Sequence, residues 1–158
     1  MSASYQCIKA EAQEGRTTCW AAALAWWLKA VPSRTKYEQY ELISEYTDFW
    51  INEPDLSLSR KHIFDVVYDS RWQMNVQWIT ARSLTTAILK EHLARGPIFV
   101  GYHESKVNGN HVNIIYDAYG SDNHLRVRVM EPNGGKHRTR SINYYMGIGD
   151  LILASPKS

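Results

Sequence analysis

The sequence is poor in the features that mark several specialised classes of protein. Its two cysteines, Cys7 and Cys19, are too few for a disulfide framework and give no repeating metal-ligand pattern. Its 18 basic and 16 acidic residues leave a net charge of +2, too small to indicate nucleic acid as the main partner. Its longest apolar run, Trp20–Leu28, is about half of the roughly 20 residues that cross a membrane. We therefore expect a protein without a metal, a cofactor or a membrane-inserted segment.

The composition that remains is that of a globular protein. Of the 158 residues, 44% are hydrophobic and 22% charged, and no boundary divides the chain, so residues 1–158 are predicted to form a single domain. Residues 1–15 lack the charged-then-apolar pattern of a secretory signal. The few cysteines and this missing signal favour a soluble protein in a reducing compartment. Six Trp and ten Tyr are many for this length and indicate an aromatic core or an aromatic groove.

The first half of the sequence is predicted to be helical and the second half mostly strands. The alanine-rich segment Cys19–Leu28 is apolar on nearly every side, which is typical of a buried central helix. Helices are also predicted over Tyr37–Phe49, over Ser59–Ser70, and over Leu84–Ala94 with Ser83 as its cap. The predicted strands are Met74–Ile79, Ile98–Tyr102, Val112–Ala118, Leu125–Met130, Ser141–Tyr145 and Leu151–Leu153, with a turn at Gly120–Asn123. This order predicts an α+β fold in which a C-terminal antiparallel sheet packs on the buried helix.

Cys19 is the candidate nucleophile because it is predicted in the first turn of the buried helix. A helix N-terminus stabilises a thiolate through its dipole and free N–H groups. The alternative is that Cys19 is a small core residue, since free cysteine is often buried. Gln13 lies six residues upstream, where a loop could aim its side-chain amide at the same point, although a lone glutamine is most often a solvated residue.

His111 is the candidate base because it begins a predicted apolar strand that can hold it rigidly. His103, at the end of another strand, is its competitor. If Val112–Ala118 and Leu125–Met130 pair as a hairpin, His111 and Glu131 become neighbours. Asn133 is the alternative group to orient the base.

The spacing Gln13–Cys19–Trp20, a histidine heading a strand, and Glu131 followed by proline resemble the papain-like cysteine peptidase superfamily. The short Cys-to-His spacing is similar to that of the compact bacteriocin-processing (double-glycine) peptidases and of bacterial effector or toxin proteases. In the bacteriocin-processing group an Asp-Pro pair stands where this chain has Glu131-Pro132, which leaves the third catalytic member open between Glu131 and Asn133.

The resemblance implies a papain-like fold and a cysteine endopeptidase. Cys19 would attack a peptide carbonyl, His111 would act as its partner and proton donor, and Gln13 with the Cys19 backbone N–H would form the oxyanion hole. Cleavage after Gly-Gly follows from the same resemblance, in a groove lined by the aromatic side chains of Trp20, Trp78, Tyr102 and Tyr116; for most of these, a place in the core is the alternative.

The resemblance also implies a protein or peptide substrate and, for a toxin, a cognate inhibitor or immunity protein. Such a protein would act in the bacterial cytoplasm or be delivered into a target cell as an effector. The competing interpretations are a peptidoglycan amidase or acyltransferase with the same Cys–His site, and a non-catalytic papain-like binding module. A metal site of His103, Glu104 and His111 is disfavoured because no short ligand spacing supports it.

A basic stretch follows the proposed site. It is expected to be a solvated face, with a docking surface for an acidic partner as the alternative; its residues are Arg126, Arg128, Lys136, Arg138 and Arg140.

Overall fold

A computed structural model describes residues 5–106, 108–121 and 124–157 of the chain. The first four residues, and two of the four in the predicted Gly120–Asn123 turn, lie outside the described residues. Within the described ranges no helix is long and apolar enough to cross a membrane.

The predicted central helix is present as α1, Cys19–Ala30, and it is buried from Cys19 to Leu28. Alanine and leucine favour the helix, and its tryptophans fill the core around it. Trp27 anchors the helix to the sheet, because its Nε1 donates a hydrogen bond of 2.9 Å to the carbonyl of Pro97. The helix ends at Val31, which has extended backbone before Pro32.

The predicted helix Tyr37–Phe49 is two helices, α2 (Gln39–Glu45) and α3 (Thr47–Trp50). They are separated at Tyr46, whose backbone at φ −102° and ψ 25° departs from helical geometry. Glu38 and Glu41 form a capping box at the start of α2.

Two further helices are α4 (Arg60–Tyr68) and α5 (Thr86–Leu93). Ser59 caps α4 as a hydrogen-bond acceptor for the backbone N–H of His62. The prediction that Ser83 caps α5 is wrong, because Thr85 has the extended backbone of a cap and accepts from the N–H of Ile88.

The six strands form one antiparallel sheet in the order β1-β6-β2-β3-β4-β5. Their bounds are β1 Met74–Thr80, β2 Ile98–Glu104, β3 Gly109–Tyr119, β4 Arg126–Glu131, β5 Lys136–Ser141 and β6 Asp150–Pro156.

The prediction of a strand over Ser141–Tyr145 is wrong. The last strand before β6 is β5, which carries the charged residues Lys136, Arg138 and Arg140. Ser141 ends β5, and its side chain caps a 3-10 turn over Ile142–Tyr145. β5 is an edge strand, where charged side chains discourage pairing with other chains. Because of these charges, the segment lacks the apolar alternation by which a strand is predicted.

Both faces of the sheet are covered. One face packs against α1 and α4, in a core that includes Trp26, Val112 and Ile114. The other face packs against α5 and the 3-10 turn, in a core that includes Val100 and Tyr145. The start of β3, the end of β2 and the end of β4 lie together at one end of the sheet, and they bring the candidate histidine and carboxylate there.

Candidate active site

Cys19 is the first residue of α1, and 6% of its surface is exposed. The first N–H groups of a helix have no partner within the helix, so they face outward at this point. The first turn of α1 contains no acidic residue, and Lys29 lies in the last turn. The helix dipole therefore favours an anion at the Cys19 end, and no acidic side chain in the first turn opposes it.

The predicted hairpin of β3 and β4 is confirmed, and it brings His111 and Glu131 into contact. The Nε2 atom of His111 donates a hydrogen bond of 2.6 Å to Oε2 of Glu131. The Glu131 side chain is buried, with 5% of it exposed, and the His111 side chain is largely buried, with 13% exposed. The other ring nitrogen, Nδ1, is not used by this contact.

The His111 ring is held in its charged form. Burial alone would lower the pKa of His111, but hydrogen bonding and the charges of Cys19 and Glu131 outweigh it and raise the pKa to about 10. Burial alone would raise the pKa of Glu131. Its hydrogen bond with His111, the charge of that ring and the hydrogen bonds from Asn133 and Asn113 outweigh burial and lower the pKa to about 2. The pair is therefore an imidazolium and a carboxylate at neutral pH, and Cys19 is close enough to act on the same ring.

Four donors saturate the Glu131 carboxylate. Oε2 accepts from His111 and from the backbone N–H of Asn133, at 3.0 Å. Oε1 accepts from Nδ2 of Asn113, at 3.1 Å, and from Nη2 of Arg140, at 2.7 Å. Asn133 itself is exposed and reaches Glu131 through its main chain. The group in contact with His111 is therefore Glu131.

Sequence reasoning missed Asn113 and Arg140. Asn113 is fully buried, and its Oδ1 accepts hydrogen bonds from the hydroxyls of Tyr145, at 2.7 Å, and Tyr102, at 3.3 Å. A polar residue inside the apolar run Val112–Tyr116 is the signal that could have revealed it, since buried amides need partners. Arg140 gave no such signal because it lies within the basic stretch that was expected to be solvated.

Gln13 lies beside the site, but its side-chain amide forms hydrogen bonds within its own loop. The backbone N–H of Gln13 donates 2.9 Å to the carbonyl of Pro132, which ties its loop to the end of β4. Its Nε2 donates to the carbonyls of Gly15, at 2.8 Å, and Arg16, at 3.0 Å. Both amide hydrogens are used in this conformation, so the role of Gln13 as an oxyanion donor stays a prediction.

The expected aromatic groove is mostly core. Trp20 and Tyr102 are 2% and 1% exposed: Trp20 packs edge-on against Tyr46, and Tyr102 packs edge-on against His111. Neither presents a surface to a substrate in this conformation, and their substrate-binding role stays a prediction. Tyr116 is buried as well. Trp78 is 40% exposed on β1, and its substrate-binding role stays a prediction.

The competing base and the disfavoured metal site are also located. His103 pairs with Asn110 across β2 and β3, and Glu104 accepts a hydrogen bond from the hydroxyl of Tyr144. Across residues 5–106, 108–121 and 124–157, no group of three or more potential metal ligands is found.

The chain matches no protein-family profile and no curated protein sequence. Among solved structures it is similar to the Pseudomonas avirulence protein AvrPphB, with a TM-score of 0.52 and 10% sequence identity. The similarity covers 96% of this chain and 98% of that one. The expected α+β, papain-like fold is thereby confirmed. At 10% identity the likeness shows the fold alone, so any activity must be argued from the site.

Proposed function

We propose that the protein is a papain-like cysteine endopeptidase in which Cys19, His111 and Glu131 carry the reaction. The observation that supports this most is the buried contact of 2.6 Å between His111 and Glu131, with Cys19 near the same ring at the start of α1. A nucleophile, a base and a group that orients the base are the three parts that thiol catalysis requires.

The proposed reaction starts with attack of the Cys19 sulfur on a peptide carbonyl carbon. The carbonyl oxygen becomes an oxyanion, stabilised by the backbone N–H of Cys19 and by Gln13 once its amide turns from Gly15 and Arg16. His111 then donates its proton to the leaving amine, the C–N bond breaks, and an acyl-enzyme remains. Water, deprotonated by His111, attacks the thioester; the C–S bond breaks, the acid product leaves, and the Cys19 thiolate is restored beside the His111 imidazolium.

Glu131 is proposed to act through His111 throughout this cycle. By accepting from Nε2, its carboxylate fixes the ring with Nδ1 directed away from β4, which leaves that nitrogen for the sulfur and the leaving amine. The carboxylate also stabilises the imidazolium that must be present before the leaving amine departs.

The proposed substrate is a protein or peptide, with cleavage after Gly-Gly as the specificity that the sequence resemblance implies. The structural neighbour is an avirulence protein, and we extend the proposal to a bacterial effector or toxin delivered into a target cell, with a cognate inhibitor as a further partner. A panel of peptides that varies the two residues before the cleaved bond tests the glycine preference. Equal cleavage without glycine there would remove it.

The test of the catalytic proposal compares two cysteine variants on a denatured protein substrate. Cys19→Ala should abolish cleavage, whereas Cys7→Ala should cleave at the wild-type rate because Cys7 is exposed and outside the site. Cleavage by Cys19→Ala at the wild-type rate would overturn the assignment. A wild-type protein that hydrolyses muropeptides but no protein would indicate the amidase, and one inactive on both would indicate the binding module.

A further inference from the structure

Arg140 lies behind the candidate catalytic pair, on the side of Glu131 that faces away from His111. Its Nη2 is 2.7 Å from Oε1 of Glu131, and its side chain is 12% exposed. The centre of its guanidinium lies 4.0 Å from the centroid of the Tyr144 ring. Arg140 is therefore a largely buried cation held by an ion pair and a cation–π contact, unlike Arg138 two positions earlier on β5, which is exposed.

Holding Glu131 in place does not by itself require an arginine. Three other donors already fix the carboxylate: His111 and the Asn133 N–H on Oε2, and Asn113 on Oε1. A buried ion pair costs desolvation, and an apolar replacement is often as stable. The Asn133 and Asn113 donors are neutral and His111 brings one positive charge to Oε2, so what Arg140 adds is a second positive charge, on the far oxygen of Glu131.

The charged and titratable groups that face His111 are few. Cys19 approaches from α1, Tyr102 from β2 and Glu131 from β4. Behind Glu131 stand Arg140 of β5 and the hydroxyls of Tyr144 and Tyr145 in the 3-10 turn. Glu131 is thus shared between two cations, His111 on one oxygen and Arg140 on the other.

We propose that Arg140 is a positioning residue that acts through Glu131: by sharing its negative charge, Arg140 limits how tightly His111 holds its proton. This rests on the proposed function, in which His111 must release that proton to the leaving amine. Without the charge of Arg140, the carboxylate would hold the imidazolium still more firmly and move its pKa further from the working pH, near which a general acid works best.

The test follows the protonation of His111 by NMR in protein labelled with ¹⁵N in its histidine rings, with the His111→Asn variant used to assign the signal. Arg140→Gln removes the charge but keeps an amide that can donate to Oε1. It should raise the His111 titration midpoint by about one pH unit, in the range typical for loss of a nearby charge. Arg140→Lys should keep the wild-type midpoint, and the matched control Arg138→Gln should not change it.

A midpoint in Arg140→Gln that is unchanged or lower would overturn the proposal. If Arg140→Gln does not fold because Glu131 is left with less compensation, the comparison moves to Arg140→Met, which keeps much of the length of the side chain, removes its charge and leaves the Glu131 carboxylate with its three other donors. The midpoint should again be higher without the arginine, and equal midpoints would overturn the proposal.

The NMR readout needs no substrate, so it fails independently of the protease assignment. A raised midpoint in a protein that cleaves nothing would support the role of Arg140 and contradict the proposed function. Cleavage that depends on Cys19, with no midpoint change, would support the proposed function and contradict the role of Arg140. In an active enzyme, the alkaline limb of the kcat/KM profile should move upward in Arg140→Gln by the same amount as the NMR midpoint.

Discussion

Two histidines in this protein, His111 and His92, have pKa values that are shifted in opposite directions. His111 donates to the Glu131 carboxylate, and its pKa is raised to about 10. His92 on α5 lies between two neutral groups, with Nδ1 2.7 Å from the Ser155 hydroxyl and Nε2 2.9 Å from Oε1 of Gln77. Burial lowers the pKa of His92, and the charge of Arg95 lowers it further.

The comparison shows that connectivity alone does not make a catalytic site. Ser155, His92 and Gln77 are linked in the order of a nucleophile, a base and an orienting group, but Ser155 is fully buried and both ring nitrogens contact neutral groups rather than a carboxylate. His111 has the carboxylate, and Cys19, the candidate nucleophile beside it, lies at a helix N-terminus. A charged partner and a cysteine at a helix N-terminus beside the ring therefore distinguish the candidate site from a satisfied core histidine.

The largest effect on catalysis should come from removing the negative charge of Glu131, which distinguishes the surroundings of His111 from those of His92. Glu131→Gln keeps the size of the side chain but gives His111 a neutral partner like that of His92. We expect proteolytic kcat to fall about 100-fold or more, because the imidazolium loses its counter-charge and its fixed orientation. The measurement is kcat on a peptide substrate, with circular dichroism as the check on folding. A loss of less than tenfold would contradict the role given to Glu131.

Replacing His92 should affect stability and leave catalysis unchanged. His92→Ala leaves the Ser155 hydroxyl and the Gln77 amide without their buried partner, which should cost about 1–3 kcal/mol of unfolding free energy in urea titrations. The folded fraction should keep the wild-type kcat. A variant of undiminished stability, or one with reduced kcat, would show that the two regions are not separate as described.

The two histidines should also give stability opposite dependences on pH. The folded pKa of His92 is lowered, so its contribution is present above the unfolded value near 6.5 and is lost as the pH falls through the folded value. The folded pKa of His111 is raised, so its contribution is fully present below about 6.5 and is lost as the pH rises through about 10.

Unfolding free energies measured from pH 5 to pH 10 should therefore show less acid sensitivity in His92→Gln and less alkaline sensitivity in His111→Gln. The same acid sensitivity in His92→Gln as in the wild type would contradict the assignment of His92 as a neutral core histidine.

The smallest effect should come from Asn133, the alternative third member. Its backbone N–H, and not its exposed side chain, donates to Glu131. Asn133→Ala keeps that N–H, so kcat should change less than about threefold. A loss as large as that of Glu131→Gln would return the orienting role to Asn133.

The sequence carried much of this site because its key residues are marked by local patterns. The alanine-rich segment predicts the helix that begins at Cys19, and the two neighbouring strand patterns predict the hairpin that brings His111 to Glu131. The charged strand β5 was missed because it lacks the apolar alternation by which strands are predicted. Its charges suit an edge strand, and one of them forms the ion pair with Glu131. Burial of Trp20 and Tyr102 depends on packing between distant segments, which a local pattern does not contain.

The central claim is that Cys19 is activated by the imidazolium that Glu131 maintains. The most direct measurement is the rate of iodoacetamide alkylation at pH 6 for Cys19 and Cys7 in the same molecule, read by mass spectrometry of the two peptides. Cys19 should react faster than the exposed Cys7, and His111→Ala should remove that advantage. Equal or slower reaction of Cys19 in the wild-type protein would contradict the account.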